Sequence, residues 1–163
     1  MRDMATLPQL LADDIRKLDE TLQDYVTRTD ASVALIIDKG GFLITHQGEA
    51  GDLDLTTLGA LASGAFLASQ SIAGLVNEND FSHTSLQGAQ FSLYTTNIDE
   101  QCLLLVVFPS KTGLGVVKYY SVATVARLAR DLAIARERDP EGGLDLSEMN
   151  LANPEEIFRK KAG

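Results

Sequence analysis

The stretch "LGALASGAFLASQSIAGL", Leu58 to Leu75, has the composition of a helix but few large side chains. Small residues recur along it at spacings of four and three: Ala60, Gly64, Ala68 and Ser71. Glycine inside a helix costs about 0.5–1 kcal/mol relative to alanine, so a compensating contact is expected. Small residues at spacing four let a second helix backbone approach closely. We therefore predict that these four residues form a homodimer interface across a two-fold axis.

The same helix must also cover a core. Leu61, Ala65, Ile72 and Leu75 lie on one helical face at steps of four, seven and three, and we expect that face to pack on the sheet. The small-residue strip would then lie on an adjoining face, and only one of the two faces can meet the sheet. The alternative is that the small-residue strip packs tightly on the chain's own sheet.

Upstream of this helix the sequence predicts another helix and a hairpin. Apolar residues at alternating spacings of four and three form one stripe from roughly Leu7 to Thr29, as in an amphipathic helix. The segments "SVALIID" and "FLITHQG" are rich in β-branched and aliphatic residues, and "KGG" between them suits a tight turn. A polar loop follows, in which Asp54 is predicted to cap the central helix.

Downstream the pattern predicts three more strands and a last helix. "FSHTSLQG" and "QFSLYTTN" alternate, whereas "CLLLVVF" is an unbroken apolar run, as expected of a central strand that is covered on both faces. The connections are too short for parallel crossovers, so the sheet should be antiparallel. Helices are then needed on both sides, which predicts an α/β sandwich of three layers. The last helix should run from Val117 to about Arg138, with Val122, Val125, Leu128 and Leu132 facing inward.

The strand "FSHTSLQG" follows the central helix directly and is expected at the edge of the sheet. The free N–H and C=O groups of an edge strand invite pairing with another chain. We predict that His83 and Ser85 contribute to the dimer interface and that the sheets of two protomers join there.

The charge distribution excludes several classes of partner. The 163-residue chain has a formal net charge of -9, and Lys39 is the only basic residue between Arg28 and Lys111. The middle of the chain therefore cannot form the basic patch that nucleic acid or an anionic membrane surface requires. The N-terminus does not resemble a signal peptide, and no segment offers the ~18 uninterrupted apolar residues of a membrane span. We expect a cytoplasmic protein that binds no nucleic acid and does not insert into membranes.

The sequence offers no catalytic constellation. Cys102, the single cysteine, lies in "QCLLLVVF" and is expected to be a buried structural thiol in a reducing compartment. His46 and His83 lie on predicted strands without a second ligand at suitable spacing, so no metal site is predicted. Ser63 is in mid-helix, away from any strand-to-helix turn, and no glycine-rich phosphate loop with its lysine is present. We expect no enzyme activity and no cofactor.

The character of the chain changes after Arg138. We predict one domain over residues 1–138 and an acidic C-terminal tail over 139–163. Near the end of this tail, Asn153 followed by proline can begin a short helix that carries adjacent Ile157 and Phe158. The tail either packs loosely on its own domain or docks on a partner through Ile157 and Phe158.

The assembled order of elements resembles the Roadblock family, the dynein light chain type, and most closely its bacterial MglB-like branch. The segments that carry the resemblance are "ALIIDKGGFLITHQG", "LTTLGALASGAFLASQSIAGLVNEN" and "CLLLVVFPSKTGLGVVKYY", and it covers approximately Ala5 to Arg138. The resemblance implies a profilin-like fold, with a five-stranded antiparallel sheet between one central helix and two terminal helices. It also implies a homodimer that is built on the central helix and the strand after it, and that regulates an MglA-like, Ras-like small GTPase.

In the MglB-like branch the paired central helices are also the platform for the GTPase, and the C-terminal tail can contact the GTPase elsewhere. The resemblance therefore places Phe66, Gln70 and Ala73, expected to be exposed, near the partner. Some GTPase activators insert an arginine finger to stabilise the transition state. The central helix and the five predicted strands contain no arginine, so stimulation of GTP hydrolysis from this face should be indirect.

Two other functions remain open at this point. Similar sheet-and-helix folds in other families enclose ligands, so the protein could be a small-ligand sensor. It could also be a structural assembly subunit that polymerises through its edge strands.

Overall fold

The computed structural model describes residues 10–138, which form three layers. One antiparallel sheet has the strand order β2-β1-β5-β4-β3, with α2 on one face and α1 and α3 on the other. The predicted three-layer α/β sandwich is therefore confirmed. The predicted tail, with Ile157 and Phe158, lies outside the described residues. The elements are α1 (Ala12–Thr29), β1 (Val33–Asp38), β2 (Leu43–Gly48), α2 (Leu55–Leu75), β3 (His83–Gln87), β4 (Phe91–Asn97), β5 (Cys102–Pro109) and α3 (Leu114–Glu137), with a short 3-10 helix at Ser110–Thr112.

β5 is the central strand, as its unbroken apolar run predicts. It pairs with β1 on one side and β4 on the other, and it is buried from Cys102 to Phe108. Successive side chains alternate between the two faces because a strand has a period of two. Leu103 and Leu105 pack on the α2 side, and Leu104 and Val106 pack on the side of α1 and α3.

The two terminal helices cover their side of the sheet together. In α1 the predicted stripe is confirmed: Leu18, Leu22 and Tyr25 are buried, and the Tyr25 hydroxyl donates to the carbonyl oxygen of Val117 in α3 at 3.1 Å. This bond satisfies a buried phenol that would otherwise destabilise the core.

The inward face of α3 differs in part from the prediction. Leu128 and Leu132 are buried as predicted, but Val122 is 73% exposed, so its predicted inward position is wrong. The buried stripe instead runs through Ser121 and Thr124. The Ser121 hydroxyl donates to the carbonyl oxygen of Lys118 at 2.8 Å, which lets this polar residue be buried. A prediction based on apolar residues alone therefore put the buried stripe of α3 on the wrong residues.

The ends of α1 and α3 are joined by an ion pair. Arg138 donates from both terminal nitrogens to the Asp14 carboxylate, at 2.6 and 2.8 Å, and the Leu11 backbone N–H donates to the same carboxylate at 2.9 Å. Asp14 is buried. The hydrogen bonds from Arg138 lower the pKa of Asp14, against the opposing effect of burial.

This ion pair should make folding stability depend on acid. Because the folded-state pKa of Asp14 is depressed, its stabilisation is present above the unfolded pKa of about 3.9 and is lost as the pH falls through the folded pKa. Between pH 5 and pH 2, we expect the free energy of unfolding of Asp14→Asn to fall less than that of the wild type in urea titrations. Asp13→Asn is the matched control, because the Asp13–Arg16 pair is exposed and should matter less. Equal acid profiles for wild type and Asp14→Asn would refute this role.

Candidate functional site

α2 has two apolar faces, and only one of them packs on the sheet. Its start matches the prediction, because the Asp54 side chain accepts a hydrogen bond from the Thr57 backbone N–H at 3.1 Å. On the inner side, Phe66 is only 2% exposed. A Cβ at Gly59 would lie 3.0 Å from the Ile37 side chain, so the helix backbone comes very close to the sheet there. The buried residues of α2 are Leu55, Gly59, Ser63, Phe66 and Ala73.

The opposite side of α2, here called the outer face, points away from the protein. Leu61 is 68% exposed and Leu75 is 83% exposed. α2 contains no charged residue, so this face is an uncharged apolar surface in contact with water. Full burial of a leucine or isoleucine side chain contributes about 1.5–3 kcal/mol, which gives the outer face a strong tendency to associate. The outer face comprises Ala60, Leu61, Gly64, Ala65, Leu67, Ala68, Ser71, Ile72 and Leu75.

The small-residue strip lies within the outer face. Ala60, Gly64, Ala68 and Ser71 are all exposed, and a Cβ at Gly64 would meet no atom within 4 Å. The alternative that this strip packs on the chain's own sheet is therefore wrong. Its contact with a second copy remains a prediction.

The expected core face of α2 is wrong. Leu61, Ala65, Ile72 and Leu75 were expected to meet the sheet, yet all four are exposed. The reason is that α2 is apolar all round, so two helical stripes of similar hydrophobicity compete for the sheet. Phe66 is the only aromatic residue in α2, and its burial was the signal that could have chosen between them.

The positions expected to face a GTPase also need correction. Phe66 and Ala73 are buried, so their predicted exposure is wrong. Gln70 is half-buried: its amide nitrogen donates to the carbonyl oxygen of Phe81 at 2.9 Å, and its amide oxygen accepts from the Phe81 N–H at 3.1 Å. In this structure Gln70 holds the loop before β3, and Phe66 and Ala73 serve the core.

The outer face continues into an apolar groove, here called the α2–β3 groove. It has a volume of 360 Å³ and is open to solvent between α2 and strands β3 and β4. β3 is an edge strand, as predicted. Helix face and free strand edge therefore form one continuous surface. The groove is lined by Leu58, Leu61, Ala62, Ala65, Thr84, Leu86, Leu93 and Thr95.

The alternation of β3 separates the predicted interface residues from this groove. Thr84 and Leu86 line it, whereas His83 packs its ring 5.3 Å from that of Tyr94, which belongs to the core on the side of α1 and α3. Ser85 has the same parity as His83 and is exposed. Burial, aided by Lys118, lowers the pKa of His83. The sequence pattern did not single out Thr84 and Leu86, although the period of two places them on the α2 side once α2 is located.

Among the described residues, few titratable groups have a pKa shifted far from its ordinary value. Cys102 is fully buried, as predicted, and burial raises the pKa of its thiol to about 12. Within residues 10–138 no group of three or more His, Cys, Asp and Glu side chains is close enough to hold a metal ion. The candidate functional site of the described residues is therefore the apolar surface formed by the outer face and the α2–β3 groove.

By length and composition, α2 also satisfies the criteria for a helix that crosses a membrane. A single helix of this kind is weak evidence, because helices that pack inside proteins satisfy the same criteria. Here the inner side of α2 packs on the sheet through Phe66.

Comparisons with known proteins agree with this architecture. Residues 17–108 match the Roadblock/LC7 domain. A structure described as MglB with a tetrameric arrangement is 30% identical, with a TM-score of 0.74, covering 78% of this chain and 96% of that one. The gliding protein MglB from Thermus thermophilus is also 30% identical, with a TM-score of 0.73, covering 78% and 97%. A Schizosaccharomyces pombe profilin, 11% identical over 68% and 95% with a TM-score of 0.51, shares the fold. No curated protein sequence matches the chain.

Proposed function

The chain belongs to the Roadblock/LC7 family, and we propose from that membership that it is a homodimeric, non-catalytic regulator of a Ras-like small GTPase of the MglA type. The observation that carries the proposal is the uncharged outer face of α2, which is continuous with the free edge of β3. Such a surface is costly to leave in water, and two copies that pack the same face against each other across a two-fold axis would remove it from water.

In the proposed dimer the outer faces of two α2 helices lie against each other across a two-fold axis. Gly64 and Ala68 allow the close approach, and the exposed Leu61 of each protomer is buried at the rim. Leu86, on the open side of the α2–β3 groove, would be covered by the partner helix. The GTPase would then dock on the platform that the two helices form.

The chemistry of this platform limits how it can act. α2 and all five strands lack arginine and lysine, so the platform cannot insert a cationic finger into a GTPase site. We propose that it instead holds the GTPase in a conformation whose own residues align the attacking water.

The test mixes this protein with a purified MglA-like GTPase that is loaded with GTP or with GDP. We expect co-elution with the GTP-bound form and faster phosphate release in single-turnover assays. Ile72→Glu, on the outer face, should abolish both effects. Gln23→Glu, at an exposed position of α1, should leave both unchanged. Absence of binding in either nucleotide state would refute the proposal.

A second candidate function is a small-ligand sensor, and the α2–β3 groove favours it. Its volume of 360 Å³ and apolar lining fall within the range of small-molecule sites. A bound metabolite in native mass spectra, lost on Leu93→Glu, would support this function over the GTPase regulator.

A further inference from the structure

A second exposed apolar patch lies on α3, on the other side of the sheet from the outer face. Tyr119 is 74% exposed and Val122 is 73% exposed. The neighbouring Ala123 and Ala126 are exposed as well. The Tyr119 ring packs edge-on against that of Tyr120 at 5.0 Å, which holds the aromatic surface in place.

This patch forms one wall of a groove between α1 and α3, here called the α1–α3 groove. Its volume is 660 Å³, and Asp24 and Arg28 of α1 line the opposite wall. Arg28 lies 3.0 Å and Arg127 lies 3.7 Å from the Asp24 carboxylate, so two cations share one anion at this rim. The groove is therefore apolar at its base and carries positive charge at its edge.

The end of α3 fixes where the following residues begin. Arg138 is held against Asp14 at the start of α1, so the described part of the chain ends in the same layer that contains the α1–α3 groove. From Arg138 back to Val122, α3 extends over about 24 Å, at 1.5 Å per residue. Eight extended residues span up to about 26 Å, which brings Leu146 within reach of Val122 and Leu144 within reach of Ala126.

Charge complementarity also favours contact between the segment after Arg138 and the α1–α3 groove. Residues 139–158 contain six acidic residues and no basic one, whereas the charged residues that line the groove are two arginines, Arg28 and Arg127, and one acid, Asp24. Opposite charges steer association and fix register, and apolar side chains supply the buried contact. The first half of the 139–163 segment combines both properties, because Leu144 and Leu146 flank Asp145.

We propose that the α1–α3 groove binds the chain's own residues 139–150, with Leu144 covering Ala126 and Leu146 covering Val122. The tail would thus be stored on its own domain, and a partner that recognises the tail must compete with this contact. This proposal does not depend on the GTPase or on the α2 interface.

Because the chain has no tryptophan, Val122→Trp gives a single fluorescent reporter in the full-length protein. We expect blue-shifted emission and acrylamide quenching several-fold weaker than in denaturant, at every protein concentration. Leu144→Ser combined with Leu146→Ser should shift the emission to the red and restore quenching. Ile157→Ser combined with Phe158→Ser is the matched control and should leave the reporter covered. Ala126→Trp provides a second reporter if Val122→Trp perturbs the helix.

Three results would overturn the proposal. Emission of a fully exposed tryptophan in the full-length protein would show that the groove is empty. Protection that grows with protein concentration would show that a second copy fills it. Protection unchanged by the Leu144 and Leu146 substitutions would show that other residues cover it.

Discussion

Replacing Gly64 by leucine is expected to convert the proposed dimer into a monomer without unfolding the protomer. A Cβ at Gly64 meets no atom within 4 Å, so the protomer has room for the new side chain. Between two α2 helices the same side chain would hold the backbones apart and remove most of their contact. Sedimentation velocity over a range of concentrations should show the monomer mass, with the helical circular dichroism retained. Stimulation of a GTPase should be lost in parallel.

Gly59→Leu is the matched control, because it makes the same change on the other side of the same helix. The Cβ there would lie 3.0 Å from the Ile37 side chain, so the substitution should overpack the core by about 1–3 kcal/mol or more. We expect loss of thermal stability for Gly59→Leu and loss of the dimer alone for Gly64→Leu. An unchanged dimer in Gly64→Leu would show that the interface lies elsewhere.

Gly48→Ala is expected to cause the largest loss of stability among single-methyl changes. Gly48 ends β2 with φ +108, a conformation that disfavours side chains. Its Cβ would overlap the Ser32 carbonyl oxygen and lie 2.9 Å from the Val33 Cα, and neither backbone atom can move aside as a side chain could. We expect the free energy of unfolding to fall by about 3 kcal/mol or more in urea titrations.

Gly51→Ala separates the steric clash from the backbone preference. Gly51 also has positive φ, +61, but its Cβ would meet no atom within 4 Å. Its loss should therefore be limited to about 1–2 kcal/mol, the cost of the left-handed conformation. Similar losses for both variants would contradict the proposed clash at Gly48.

The central position of β5, the antiparallel pairing and the layering could be predicted because each rests on a strong local signal. The unbroken run from Leu103 to Phe108 requires cover on both faces, and the structure places β5 at the centre with helices on both sides. Short connections excluded parallel strands. The cap at Asp54 and the Gly-bearing turn after Asp38 each depend on a carboxylate that accepts a hydrogen bond from a nearby backbone N–H. Asp54 accepts from Thr57, and Asp38 accepts from Gly40 at 2.9 Å.

Which face of α2 packs on the sheet could not be predicted from its hydrophobic pattern. Both of its sides are apolar, so the choice depends on shape: Gly59 brings the backbone close to Ile37, and Phe66 fills the space beside it. The same limit affects α3, where Ser121 and Thr124 are buried and Val122 is exposed. Tertiary packing overrides hydrophobicity wherever small polar residues fit better.

The candidate site, like the fold, could be predicted from the sequence only in part. The small-residue strip could be identified because glycine inside a helix is destabilising, so a compensating contact is expected. On β3 the groove residues were not predicted, because a shift of one residue moves every side chain to the other face. Thr84 and Leu86, instead of His83 and Ser85, therefore border the α2–β3 groove. That His83 and Ser85 contribute to a dimer interface stays a prediction.

Whether the outer faces of two α2 helices meet is tested most directly by disulfide formation between copies. One added cysteine suffices, because Cys102 is buried and its thiol has a pKa raised to about 12. A disulfide requires Cα atoms about 4.4–6.8 Å apart. Under mild oxidation, we predict that Gly64→Cys or Ala68→Cys gives a covalent dimer on non-reducing gels and that Ala133→Cys stays monomeric. Rapid cross-linking of Ala133→Cys, with none at Gly64 or Ala68, would contradict the proposed interface.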